Sequence, residues 1–199
     1  MSLAGGFRFG CAPKGLVIAA LLVGAWPACA ADLSEKLVPC LACHGEKGQS
    51  DIENVPSLGA QPAPYSVIQL FLFREKMRVV EPMNDMAKEL SDDDLQSLAD
   101  ALAALPPPKP PADPGDPARL ERVRPLAEEN HCNVCHRPDF SGQGNVPRLV
   151  DQREDYLLKA LRDYKSGARH GYDPAMAEVL QPIDEAQLVE FAYYLSHLR

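Results

Sequence analysis

Two pentapeptides in this chain carry the same reactive side chains at the same spacing. Cys40-Leu41-Ala42-Cys43-His44 and Cys132-Asn133-Val134-Cys135-His136 both read C-x-x-C-H, with their first cysteines 92 residues apart. On a helical turn, two thiols separated by two residues reach one edge of a porphyrin, where each adds to a vinyl group. The adjacent imidazole then points at the iron. A single copy also fits a redox dithiol or part of a zinc site. Two copies, in a chain with no other paired cysteines, select covalent haem attachment at Cys40, Cys43, Cys132 and Cys135, with His44 and His136 as proximal iron ligands. The expected cofactor content is two covalently bound haem c groups.

The remaining cysteines, Cys11 and Cys29, lie in an N-terminal segment that reads as a secretory signal peptide over residues 1–30. Arg8 and Lys14 form a positive region, Gly15 to Trp26 is an apolar run, and Ala28-Cys29-Ala30 supplies small residues for cleavage. The apolar run is too short for the roughly 20 residues that span a bilayer. An uncleaved anchor is the alternative, and Trp26-Pro27-Ala28 makes a poor run-up to lipidation at Cys29. Export places the chain in the periplasm, where bacterial c-type haem is attached. All four cysteines left after cleavage belong to the two motifs, so no disulfide framework is expected.

The elements that must hold two haems follow from the rest of the pattern. A proline-rich stretch over 106–117 cannot continue a helix and reads as an extended, semi-rigid spacer. It divides the mature chain into a first domain, 31–105, and a second, 118–199. Each is small for a self-sufficient core, a deficit that a large apolar cofactor fills. The whole chain has a formal charge of −8, but the first domain holds 13 acids and 6 bases and the second 13 acids and 11 bases. Such an acidic chain gives no sign of binding nucleic acid, and its more negative half suits steering toward a basic partner.

The two halves repeat one another. Val55-Pro56-Ser57-Leu58 follows the first motif as Val146-Pro147-Arg148-Leu149 follows the second. An amphipathic segment with an early tyrosine comes next in each, with Tyr65 and Tyr156 in register. The second of these is expected to start at Asp151, with Glu154 as a capping-box partner. Helices opening near Ser91 and Asp184 close the halves, with acids in their first turns as the dipole prefers. No stretch alternates long enough for a strand, so the chain reads as all-α. Aligning the closing helices puts Met83 and Met176 at matching positions, seven residues before Leu90 and Ile183. Both suit a sixth ligand to iron. Met86 is the alternative in the first half, Met77 is expected inside the preceding helix, and core filling is the other use of a methionine. His170 could replace Met176, although its basic surroundings favour a solvent position. Asp92-Asp93-Asp94 reads as a helix cap more readily than as a metal cluster.

C-x-x-C-H, a proline-bearing loop, a helix with an early tyrosine, a methionine and a closing helix together resemble the class I cytochrome c fold. Two such domains in tandem resemble the dihaem cytochrome c4 type, over nearly all of residues 32–198. The resemblance implies His44 and Met83 on one iron, and His136 and Met176 on the other. It implies that the Pro56 and Pro147 carbonyls accept hydrogen bonds from the two histidines. Tyr65 and Tyr156 are placed to reach haem propionates or to pack in the core. Two departures stand out: Arg137 follows the second motif where the family commonly has glycine, and the helix before Cys40 is short, beginning near Asp32.

Histidine–methionine ligation closes both axial positions, which fits outer-sphere electron transfer rather than catalysis. The expected function is a periplasmic carrier of single electrons between redox proteins, a donor such as a dehydrogenase and an acceptor such as a terminal oxidase. It would meet a membrane only through those partners. The alternatives are the cytochrome subunit of a flavocytochrome-type dehydrogenase and a dihaem redox enzyme.

Overall fold

Apolar side chains at helical spacing gather into two cores, one from each half of the chain. The computed structural model describes residues 28–170 and 174–199, so the segment expected as a signal peptide falls almost wholly outside it. The first half contains α1 (Ala28–His44), α2 (Ala63–Arg74), α3 (Met83–Ala87) and α4 (Asp92–Ala104). The second contains α5 (Pro117–Glu129), α6 (Cys132–His136), α7 (Glu154–Ser166), α8 (Ala175–Leu180) and α9 (Glu185–His197). Among the described residues there is no strand, only an isolated bridge between Gln143 and Val146. The all-α expectation holds.

In the first half, Leu70 of α2 meets Leu95 and Leu98 of α4, with Leu33 and Leu37 of α1 laid against them. In the second, Val123 and Ala127 of α5, Leu157 and Leu161 of α7, and Leu188 and Phe191 of α9 form the corresponding core. Each fully buried Leu or Phe stabilises its domain by about 1.5–3 kcal/mol. The closing helices start where the sequence places them. Ser91 and Asp94 form a capping box on α4, and Asp184 and Gln187 form one on α9. A bond of 2.7 Å between Lys36 Nζ and Asp94 also ties α1 to the start of α4.

Several boundaries differ from expectation. α7 starts at Glu154, not Asp151. Asp151 adopts a left-handed φ of 60°, and its carboxylate accepts from Arg148 Nη2 at 3.1 Å instead of capping a helix. α2 ends at Arg74, which leaves Met77 beyond the helix rather than inside it. α1 begins at Ala28, ahead of the expected start near Asp32, and runs unbroken into the first motif. The second motif has a helix of its own, because His131 takes a left-handed φ of 56° and separates α6 from α5. The short α3 and α8 carry too few residues for a periodic signal.

The proline-rich segment is docked rather than free. Gln49 exchanges two side-chain hydrogen bonds with the Lys109 backbone, at 3.1 and 3.2 Å. At the other end, Arg199 donates to the Pro111 carbonyl at 2.9 Å, and the Tyr193 hydroxyl accepts from Asp116 N–H at 2.5 Å. Both halves therefore hold the connection down.

Candidate haem sites

The last turn of α1 carries Cys40, Cys43 and His44, and α6 carries Cys132, Cys135 and His136. Cys43 and Cys135 are exposed, while Cys40 and Cys132 are half-buried. Burial pushes the Cys40 and Cys132 thiols up from their ordinary range. Both histidines are buried, at 5% and 6% exposure. His44 Nδ1 lies 2.7 Å from the Pro56 carbonyl oxygen, and His136 Nδ1 lies 2.9 Å from that of Pro147. A carbonyl can only accept, so Nδ1 carries the proton and Nε2 keeps a free lone pair. Burial lowers both imidazole pKa values, and the carbonyl bond opposes it only partly. The rings are therefore neutral, the form a metal binds. Loop bonds hold the motif ends: Ser50 Oγ donates to the Cys43 carbonyl and Gln143 Nε2 to that of Cys135, each at 3.1 Å.

Met83 opens α3 and Met176 lies in the first turn of α8, both half-buried. Met176 packs against the second core. Met86 and Met77 are 42% and 58% exposed. Asn84, next to Met83, is 2% exposed and bonds the Phe73 and Arg78 carbonyls and the Val80 N–H. It fixes the loop that presents this methionine. Lys165 does the same for α8 through the Leu180 and Gln181 carbonyls. His170 is exposed, as its basic surroundings suggest.

Tyr65 and Tyr156 come together across the two halves, around a group that the sequence reading did not single out. Arg169 is 5% exposed, donates from Nη2 to Tyr65 Oη at 2.9 Å and to Gln69 Oε1 at 3.0 Å, and from Nη1 reaches Tyr156 Oη at 3.4 Å. Arg78 donates to the same Gln69 Oε1 at 2.7 Å. Among the described residues neither guanidinium has a carboxylate partner, and the Nε of each is buried with nothing to bond. Burial pushes the Tyr156 phenol up, but the two guanidiniums more than reverse this and hold it below its usual range. Buried cations without counter-charge are costly. Arg169 is such a cation and Arg78 a half-buried one, and together their orphaned Nε donors fit the propionate carboxylates of haem. Arg78 and Arg169 are 91 residues apart, the same register as Tyr65 and Tyr156, so the repeat alignment held the signal that would have found them.

The same register recurs in two buried glutamines. Gln61 Oε1 accepts from Arg148 N–H at 3.0 Å and its Nε2 donates to the Arg148 carbonyl at 2.9 Å. Gln152 does the same to Ser57, with both bonds at 2.8 Å.

No family model matches the chain. Cytochrome c4 of Thiocapsa roseopersicina is 32% identical over 168 residues, covering 80% of this chain and 86% of that protein. This chain belongs to the cytochrome c4 family. As a cytochrome c4-type protein it is a dihaem electron carrier with two covalently bound haem c groups. A thiosulfate dehydrogenase electron acceptor of Thiomonas intermedia is 31% identical over 199 residues, with 92% of this chain and 91% of that protein aligned. Among solved structures, reduced recombinant cytochrome c4 from Pseudomonas stutzeri superposes with a TM-score of 0.76 at 26% identity, covering 85% of this chain and 98% of the other. A thiosulfate dehydrogenase from Marichromatium purpuratum superposes with a TM-score of 0.68 at 28% identity, over 79% of this chain and 36% of that one. No described helix of the cytochrome c4-type chain is long and apolar enough to cross a membrane.

Proposed function

We propose that this cytochrome c4-type chain is exported to the periplasm and there accepts electrons one at a time from a dehydrogenase, passing them on through its two haem sites. The observation that carries the reading is the matched geometry of the two halves. Each has a buried neutral histidine with Nδ1 on a proline carbonyl, and each has a half-buried methionine at the same distance before its closing helix. Each haem, when bound, supplies a one-electron Fe(III)/Fe(II) couple. Cys40 and Cys43 tether the first and Cys132 and Cys135 the second. His44 with Met83 and His136 with Met176 would hold the two irons, which would leave no ligand position for substrate. The soft thioether favours the ferrous form and raises the potential. Arg78 and Arg169, with Tyr65 and Tyr156, would hold the haem propionates. The domain boundaries are 31–105 and 118–199, with the signal peptide over 1–30 removed.

A specific donor is supported by two relatives. The Thiomonas intermedia protein is named as an electron acceptor of thiosulfate dehydrogenase, and the Marichromatium purpuratum structure is of that enzyme. We take a thiosulfate dehydrogenase as the donor, in preference to a flavin-containing one. The test is the absorption spectrum of the purified oxidised protein with haem quantitation, followed by reduction of the protein by a thiosulfate dehydrogenase and thiosulfate. Two haems, each with a methionine-to-iron charge-transfer band, and rapid reduction are expected. High-spin or bis-histidine signals would refute the ligand assignment. Reduction by a flavin-containing sulfide dehydrogenase but not by a thiosulfate dehydrogenase would refute the donor.

A further inference from the structure

The two buried glutamines meet the proximal histidines through a single peptide group. The Pro56–Ser57 peptide accepts from His44 on its carbonyl at 2.7 Å and donates from its N–H to Gln152 Oε1 at 2.8 Å. The Pro147–Arg148 peptide accepts from His136 at 2.9 Å and donates to Gln61 Oε1 at 3.0 Å. Each glutamine lies in the half opposite to the histidine it reaches. Gln61 and Gln152 are each 5% exposed and Ser57 is 2% exposed, while Pro56, Pro147 and Arg148 are half-buried.

From this we infer that Gln152 tunes the haem of the first domain and Gln61 that of the second, so that the docked arrangement of the halves sets both reduction potentials. The inference rests on His44 and His136 being iron ligands. An amide whose N–H is hydrogen-bonded is polarised, and its carbonyl becomes a stronger acceptor, by about 10–30% per bond in condensed phase. A stronger acceptor draws the Nδ1 proton and gives the imidazole more anionic character, which raises ligand basicity. A more basic proximal ligand stabilises the ferric state and lowers the potential. Removing the glutamine oxygen therefore raises the potential of the haem in the other domain. The glutamines are positioning residues. They act through a peptide and a histidine and touch neither iron nor porphyrin.

The test uses full-length dihaem protein carrying Gln152→Met, Gln61→Met or Gln152→Glu. Haem-resolved redox titration and the Nδ1 proton resonance of each proximal histidine in the reduced, diamagnetic protein are the readouts. Gln152→Met is expected to lower the Fe(III)/Fe(II) ratio of the first haem two- to fourfold at fixed ambient potential. This is roughly 18–36 mV by the one-electron relation of 59 mV per tenfold. It should also move the His44 proton upfield and leave the His136 proton in place. Gln61→Met should show the mirror result. Gln152→Glu keeps an acceptor oxygen and charges it, so the His44 proton should move the other way. Unmoved resonances, or equal changes in both haems, would overturn the inference. The wild-type spectra separate this failure from failure of the ligand assignment: if the His44 and His136 ring protons of the reduced wild-type protein lack the large ring-current shift of an iron-bound imidazole, the ligand reading falls instead.

Discussion

The residue after each motif faces the same backbone demand and answers it differently. Gly45 has a φ of 85°, and an added Cβ would lie 1.9 Å from the Gln49 carbonyl oxygen and 2.6 Å from its carbon. Its counterpart Arg137 adopts φ 73° and ψ 159°, a region that only glycine visits without cost. That conformation costs about 1–3 kcal/mol for a side-chain-bearing residue. Arg137→Gly removes the cost, and the freedom that glycine gives the unfolded chain takes back about 0.4–1 kcal/mol. The net gain is about 1 kcal/mol, which raises the midpoint of a domain this small by about 4–8 °C. The reverse change, Gly45→Ala, meets both the φ penalty and a backbone atom that must move, and should cost the first domain about 3 kcal/mol. It should also disturb the motif end, because the Gly45–Ser50 loop delivers the Ser50 hydroxyl to the Cys43 carbonyl. Thermal unfolding of the holoprotein followed at both haems measures the pair. A midpoint for Arg137→Gly at or below wild type, or a Gly45→Ala protein within 2 °C of it (the shift of about 0.3–0.5 kcal/mol), would show that the two loops are not under the same constraint.

Three further outcomes are expected. Met83→Ala and Met176→Ala should each abolish the methionine-to-iron band of one haem, whereas Met86→Ala, at an exposed position, should leave both bands intact. The Asp94 carboxyl, held down at about 2 by Lys36 and then by Ser91, stabilises the first domain fully above the ordinary carboxylate pKa of ~3.9 and loses that contribution as pH falls through about 2. Asp94→Asn should therefore cost about 1 kcal/mol at neutral pH, with the difference from wild type closing between about pH 4 and 2 in acid-unfolding curves. Arg169→Leu removes the bonds to Tyr65 and Gln69 and should weaken coupling between the halves by about 2–4 kcal/mol. Calorimetry would then show two separated transitions where the parent protein shows closer ones.

The chemistry of the attachment sites was legible because it depends on local spacing. C-x-x-C-H needs only a helical turn, the methionine positions come from aligning the closing helices, and the proline carbonyls are what the family resemblance implies. The closing helices were legible for a similar reason, since Ser91/Asp94 and Asp184/Gln187 are caps written in neighbouring residues. What lay between the halves was not. Asp151 has the residue type of a helix cap, but Arg148 claims its carboxylate. Gln61 and Gln152 look like ordinary polar residues until the fold brings another half's backbone against them. Arg169 stands next to the exposed His170 in a basic stretch, yet tertiary contact buries it. The docking of the proline-rich segment onto Gln49 and Arg199 likewise depends on residues about 60 and 88 positions away.

The exchange of glutamines has a meaning for how such a molecule is assembled. Residue 61 meets residue 148 while residue 152 meets residue 57, and each pair is the other shifted by 91 positions. That is the signature of an isologous contact, the kind that two identical subunits make across a twofold axis. The covalent chain therefore behaves as a symmetric dimer whose protomers have been joined end to end. Its connector supplies effective concentration, on the order of millimolar for a short tether, to a surface that is already self-complementary. In such a design the two protomers are free to diverge in charge and in loop chemistry, as Gly45 and Arg137 have, while the shared surface keeps them in register.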